Sequence, residues 1–162
     1  MFFSALLFLP ASAFAQEAIL TSINGKVEIR ASKSAEWQTA VQGNQLSEEG
    51  GLRTGEDGRA ILLFKNGAKI WVKEKTTLNI SEQKFKSNQI SLLSGSIKVR
   101  VPHLQFREKF QLRTPTSLAS VRGTILTFEA TPDGQPSLNV LFGEVKLVRT
   151  DPDSEQDRKS VV

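Results

Sequence analysis

The chain has 162 residues, with 21 Lys and Arg against 17 Asp and Glu, one His and no Cys. That length suits one domain able to bury a real core, and the absent cysteines exclude disulfides, thiolate metal sites and thiol nucleophiles. A single histidine (His103), aspartates confined to positions 57, 133, 151, 153 and 157, and the absence of G-x-G-x-x-G, P-loop, H-E-x-x-H and G-x-S-x-G motifs leave no constellation for catalysis, a metal or a cofactor.

Met1 to Leu9 is mostly apolar and is followed by Ala13-Phe14-Ala15. A short apolar run ending in an A-x-A site reads as a secretory signal peptide cleaved after Ala15, and the run is well short of the ~20 residues that span a bilayer. The mature chain is therefore expected to begin at Gln16 and to work in the bacterial periplasm or outside the cell.

From there the dominant period is two. Ile19, Thr21, Ile23, Val27 and Ile29 alternate with Leu20, Ser22, Asn24, Lys26 and Glu28, the pattern of a half-buried antiparallel strand. Ala60 to Phe64 and Ile70 to Val72 flank Asn66-Gly67, a hairpin signal. Ile97, Val99 and Val101 alternate with Lys98 and Arg100, and Val145 and Leu147 with Glu144 and Lys146. The residues expected inside are Ile23, Val27, Ile29, Leu62, Ile70, Ile97, Val99, Val121, Phe128 and Val145. Trp37, in a polar stretch, reads equally as a core residue or as a contact residue at an exposed edge.

Three segments, Ile23 to Ile29, Leu93 to Val99 and Leu141 to Leu147, share one form: apolar, any, Gly, polar, apolar, charged, apolar. Glycine inside such a pattern predicts a bulge or bend, so the three mark a recurring corner. No helical period is present. The expected fold is all-β: short antiparallel strands over residues 16–149, forming a solenoid-like roll or a two-sheet sandwich. Residues 150–162 are too polar to bury a core and read as a disordered tail.

Charge is segregated. Residues 65–113 hold eleven Lys and Arg against Glu74, Glu82 and Glu108, while the flanking thirds each hold five against seven acidic residues. Strand parity sorts the cations: Lys69, Lys73 and Lys75 point away from Ile70 and Val72, as Lys98 and Arg100 do from Ile97 and Val99. Such a face suits an anionic partner, and behind a signal peptide that partner is an envelope protein or anionic polymer rather than nucleic acid. The other reading is a set of solvated strand faces with no ligand.

Thr114-Pro115 ends one strand, and Val121-Arg122-Gly123-Thr124 follows. A glycine beside an arginine between strands suggests a bulge that aims the guanidinium, either onto carbonyls that lock the bend or toward a partner. Together with Trp37, Leu46, Arg53-Thr54-Gly55, Gly58, Ala60, Gly67, Leu92, Gly95, Gly143 and Val145, these residues make the chain resemble the FecR domain family over about residues 23–148. It departs where the usual Gly-Asp step reads Gly50-Gly51 and where Leu126 replaces a usual phenylalanine. The resemblance implies an all-β periplasmic domain that recognises a protein or glycan, with Arg53, Thr54, Gly55, Thr114, Pro115, Val121, Arg122, Gly123 and Thr124 as structural motif residues. The best-known relatives regulate iron-transport genes: they join this domain, through a membrane helix, to a cytoplasmic anti-sigma segment and sense an outer-membrane transporter. A signal peptide plus this domain alone would not reach a cytoplasmic sigma factor. The expected role is a non-catalytic binding domain without cofactor. An accessory part in iron-type surface signalling, or a structural assembly subunit that pairs through its β-edges, is the alternative.

Overall fold

The computed structural model describes residues 16–81, 87–104, 108–133 and 135–150; the expected signal peptide and the tail beyond Thr150 lie outside them. Within these residues the chain is all-β. It runs β1 (Gln16–Asn24), β2 (Val27–Arg30), β3 (Gln38–Thr39), β4 (Gln45–Ser47), β5 (Gly51–Thr54), β6 (Arg59–Phe64), β7 (Lys69–Val72), β8 (Thr77–Ile80), β9 (Ser87–Val101), β10 (Lys109–Thr114), β11 (Ser117–Ala130) and β12 (Pro136–Arg149). All twelve belong to one curled sheet.

Pairing changes partner along the long strands, which shows how the sheet bends. The first part of β9 lies between β8 and β10, whereas its second part lies between β7 and β11. β11 likewise pairs first with β10 and then with β9, keeping β12 on its other side throughout. The chain crosses between these two halves of the sheet at tight turns early on, and later by bending within single strands.

The strands differ from the expected short antiparallel set. β9, β11 and β12 are 15, 14 and 14 residues long, because each continues through its corner glycine instead of ending there. β10 runs parallel to β9. The three recurring glycines do share one conformation: Gly25, Gly95 and Gly143 have φ of 65°, 97° and 88°, the left-handed region that glycine enters without Cβ strain. A Cβ on Gly95 would sit 2.4 Å from Thr76 Oγ1, and one on Gly143 would sit 2.6 Å from the Gly123 carbonyl oxygen.

Bending a sheet interrupts its ladder, and the freed buried amides need other acceptors. Threonine hydroxyls supply them. The Thr76 N–H donates to Thr54 Oγ1 at 2.9 Å, and the Ser96 N–H donates to Thr76 Oγ1 at 3.0 Å. Thr54 Oγ1 in turn donates to the Lys73 carbonyl at 2.6 Å. Thr124 Oγ1 lies 2.9 Å from the Arg122 carbonyl and 3.0 Å from that of Glu144, so its one hydrogen links β11 to β12 beside Gly143. All three threonines are buried.

Inside the curl lies one apolar cluster. Val27, Leu62, Ile70, Ile97, Val99, Val121 and Phe128 are buried in it, and Ile23, Ile29 and Val145 pack partly buried against it. The alternation in β1 is not the expected one. Leu20 is fully buried and Ile19 only half so, because the register against β6 slips between Leu20 and Ser22, and a bulge exchanges the faces on either side of it.

Replacing Thr76 by valine keeps the shape but leaves the Ser96 N–H without its acceptor. The expected loss is about 1–3 kcal/mol, seen as a lower denaturant midpoint with an unchanged slope. An unchanged midpoint would show that the hydroxyl is not needed at this corner.

Candidate partner-binding face

β7 and β9 are antiparallel neighbours, with Lys69 opposite Arg100 and Trp71 opposite Lys98. Ile70, Val72, Ile97 and Val99 on the intervening parity are buried, so Lys69, Trp71, Lys98 and Arg100 share the outer face. Lys73 follows β7 directly, and its Nζ lies 3.9 Å from Glu129 Oε1 on β11. Four of the five cations singled out in the sequence therefore gather on one surface. Lys75 does not belong to it: β7 ends at Val72, Lys75 turns at φ 53°, and its Nζ pairs with Glu56 at 3.0 Å.

Trp71 was not among the candidates, although it has the same parity as Lys69 and Lys73. It is half-buried at the centre of the patch. The Lys69 and Lys98 ammoniums lie 5.0 and 5.8 Å from its ring centroid, within cation–π range. A groove of about 440 Å³ runs along its side, lined by Ile61, Arg59, Lys73 and Glu74 among others.

Like charges directly opposite on neighbouring strands are destabilising, and Lys69 faces Arg100 in this way. Acidic neighbours do not relieve it: among the described residues no carboxylate pairs with Lys69, Lys98 or Arg100. The nearest acids do not pair with these three: Glu129 Oε1 lies 3.9 Å from Lys73 Nζ. Glu129 accepts from Ser96 Oγ at 2.9 Å, and Glu74 pairs with Arg59 at 3.3 Å. The Glu74 carboxyl is held below its ordinary range by a backbone hydrogen bond and the neighbouring Arg59.

The motif residues hold the fold instead. Arg53 stacks on Trp37 with its guanidinium 4.6 Å from the ring centroid, Arg30 covers the ring at 4.7 Å, and Arg53 Nε donates to Glu28 at 2.7 Å. That bond holds the Glu28 carboxyl below its usual range. Trp37 is thus a half-buried, cation-clamped side chain rather than a free contact residue. Gly51 fits beneath this stack, where a Cβ would come within 2.8 Å of Arg30 Nε. Thr54 and Thr124 form corners, and Gly55 donates its N–H to the Lys26 carbonyl at 2.8 Å. Pro115 lies in the β10–β11 turn, which Thr114 and Ser117 close with a 2.8 Å hydroxyl contact. Val121 is buried, Gly123 takes φ 59°, and the exposed Arg122 reaches back to the Leu104 carbonyl at 3.2 Å.

A second groove of about 850 Å³ holds Arg122, Lys109 and Lys146 beside Glu108, Glu144 and His103. Its mixed signs give no net preference for an anion. Among the described residues there is no group of acidic and histidine side chains arranged to hold a metal, and no helix long and apolar enough to cross a membrane.

The chain is thus an all-β domain whose recurring motifs build its corners and whose outer β7–β9 face sets Lys69, Lys98 and Arg100 around Trp71. The profile of the family described as FecR protein matches residues 51–146, more than half of the chain. The chain belongs to the FecR family, and membership points to a signalling-related domain of iron-transport-type regulation. No curated protein and no solved structure matches the chain significantly.

Proposed function

We propose that this chain is a non-catalytic recognition domain of the bacterial cell envelope that binds an anionic partner, an acidic protein surface or an acidic glycan, through the outer face of β7 and β9. The observation that carries this is the Lys69–Arg100 cross-strand pair, set with Lys98 around Trp71 and given no carboxylate among the described residues. A protein that needed only solubility would gain by scattering these charges; clustering them costs stability unless a partner supplies the opposite sign. Trp71 adds a flat apolar surface on which a sugar ring or a side chain can rest. Delivery to the envelope rests on the apolar run of Met1 to Leu9 and on Ala13-Phe14-Ala15. A place in iron-type surface signalling is compatible with the same face, since the partner there would be another envelope protein.

Affinity for an acidic polysaccharide such as polygalacturonate should fall steeply with added salt, because exposed charge pairs are screened within about 10 Å at 0.1 M. The double reversal K98E/R100E should weaken it about tenfold or more, while reversal of Lys33, far from this face in sequence and sheet order, should leave it unchanged. Binding indifferent to salt and to the reversal would remove the electrostatic basis of the proposal. Separately, the protein recovered from a periplasmic fraction should begin at Gln16; a chain that retains Met1 in the membrane would reject the cleavage.

A further inference from the structure

The two ends of the sheet are built differently. One end is blunted: β3 has two residues and β4 has three. The other is β12, fourteen residues long, paired along one side with β11 and with no other strand among the described residues. Long open edges are templates for another strand, and proteins normally shorten, charge or cover them. β12 is instead rich in uncovered apolar side chains: Phe142 is 69% exposed, Leu141 56%, Val148 47% and Leu147 46%.

We infer that β12 pairs antiparallel with β12 of a second copy of this chain, about a two-fold axis at Val145. The outward-facing residues carry the argument. Register against β11 places Phe142 opposite Ile125, Glu144 opposite Arg122, Lys146 opposite Ser120 and Val148 opposite Leu118, so these four share one face. Read along the strand they are apolar, acid, base, apolar. Antiparallel pairing centred on Val145 sets Glu144 against the partner's Lys146, Lys146 against the partner's Glu144, and Phe142 against the partner's Val148, each twice. A strand complementary to itself in charge and apolarity is what an isologous two-fold contact requires. Among the described residues neither Glu144 nor Lys146 has an ion pair within its own chain. From Asp151 to Ser160 the sequence has no aliphatic or aromatic side chain apart from Pro152. The pairing does not depend on the polyanion-binding reading, and the two can fail separately.

The chain has no cysteine, so a single introduced one reports the register. Directly opposite residues of antiparallel strands have Cα atoms about 4.5–5.5 Å apart, within disulfide reach. V145C should form a covalent dimer on mild oxidation or with a short bis-maleimide, whereas L138C, outside residues 141–149 that this register pairs within β12, should not. By sedimentation velocity the unmodified chain should be dimeric at high micromolar concentration. E144K, which puts lysine against lysine twice, should raise the dimer dissociation constant about tenfold or more, and E144K/K146E should restore it. A chain that stays monomeric at millimolar concentration, leaving the edge to a different protein, would overturn the inference. So would equal crosslinking of V145C and L138C, or a folded double variant that fails to recover.

Discussion

The hydrogen bond from the Ser96 amide to the Thr76 hydroxyl, and the one from the Thr76 amide to the Thr54 hydroxyl, are where this fold is decided. A sheet that curls on itself must bend, and at a bend its ladder leaves buried N–H groups without strand partners. Here each hydroxyl accepts what the ladder lost and passes its own hydrogen to a carbonyl, so three points of the chain are tied in sequence: the end of β5 through Thr54, the approach to β8 through Thr76, and the middle of β9 through Ser96. Gly95 completes the joint, since its missing Cβ is the space that Thr76 occupies and its positive φ is the bend itself. Thr124 beside Gly143 makes a related joint between β11 and β12, its hydroxyl donating to the carbonyls of Arg122 and Glu144. The Arg-Thr-Gly and Val-Arg-Gly-Thr motifs thus share a physical purpose: each delivers a threonine to a corner.

The proposed recognition face depends on that joint. β9 crosses the bend at Gly95, and its second part carries Lys98 and Arg100. β7 carries Lys69 and Trp71, and the chain leaves it through the turn whose Lys73 carbonyl accepts from Thr54. The corner therefore fixes the register that sets Lys69 against Arg100 and Trp71 against Lys98. A cluster of like charges tends to push its strands apart, and it persists on a surface whose strands are pinned at one end by buried hydrogen bonds and below by Ile70, Val72, Ile97 and Val99. For the proposed binding such rigidity is an advantage, because a preformed array of charges loses little conformational freedom when a partner arrives.

Much of this was readable from alternation. Ile70/Val72 and Ile97/Val99 pointed inward as their period required, and the recurring glycines announced corners. The misses have specific causes. In β1 both parities are apolar (Ala18 and Leu20 on one, Ile19 and Ile23 on the other), so the pattern could not reveal the bulge that exchanges them. Parity extends β7 to Lys75 although the strand ends at Val72, because Glu74-Lys75 carries no glycine or proline to announce the turn. Long strands that bend at glycine look the same in sequence as short strands that stop there, and the parallel β9–β10 pairing left no local signal at all. Trp71 could have been found: a tryptophan at an outward parity position between two lysines has no core to fill. The threonine relay was visible only as motif residues, since nothing in a sequence says that hydroxyls 22 residues apart will share one corner.

Amide hydrogen exchange across the bend tests the account most directly. The Thr76 and Ser96 amides donate to threonine hydroxyls rather than to ladder carbonyls, and at a bend amides that lack an acceptor exchange rapidly. If the hydroxyl relay closes the sheet, both should be protected to nearly the same degree as the core amide of Val99, opening only with global unfolding. Exchange of Thr76 and Ser96 at the rate of an exposed turn, with Val99 still protected, would contradict the claim that these corners hold the fold and the face it carries.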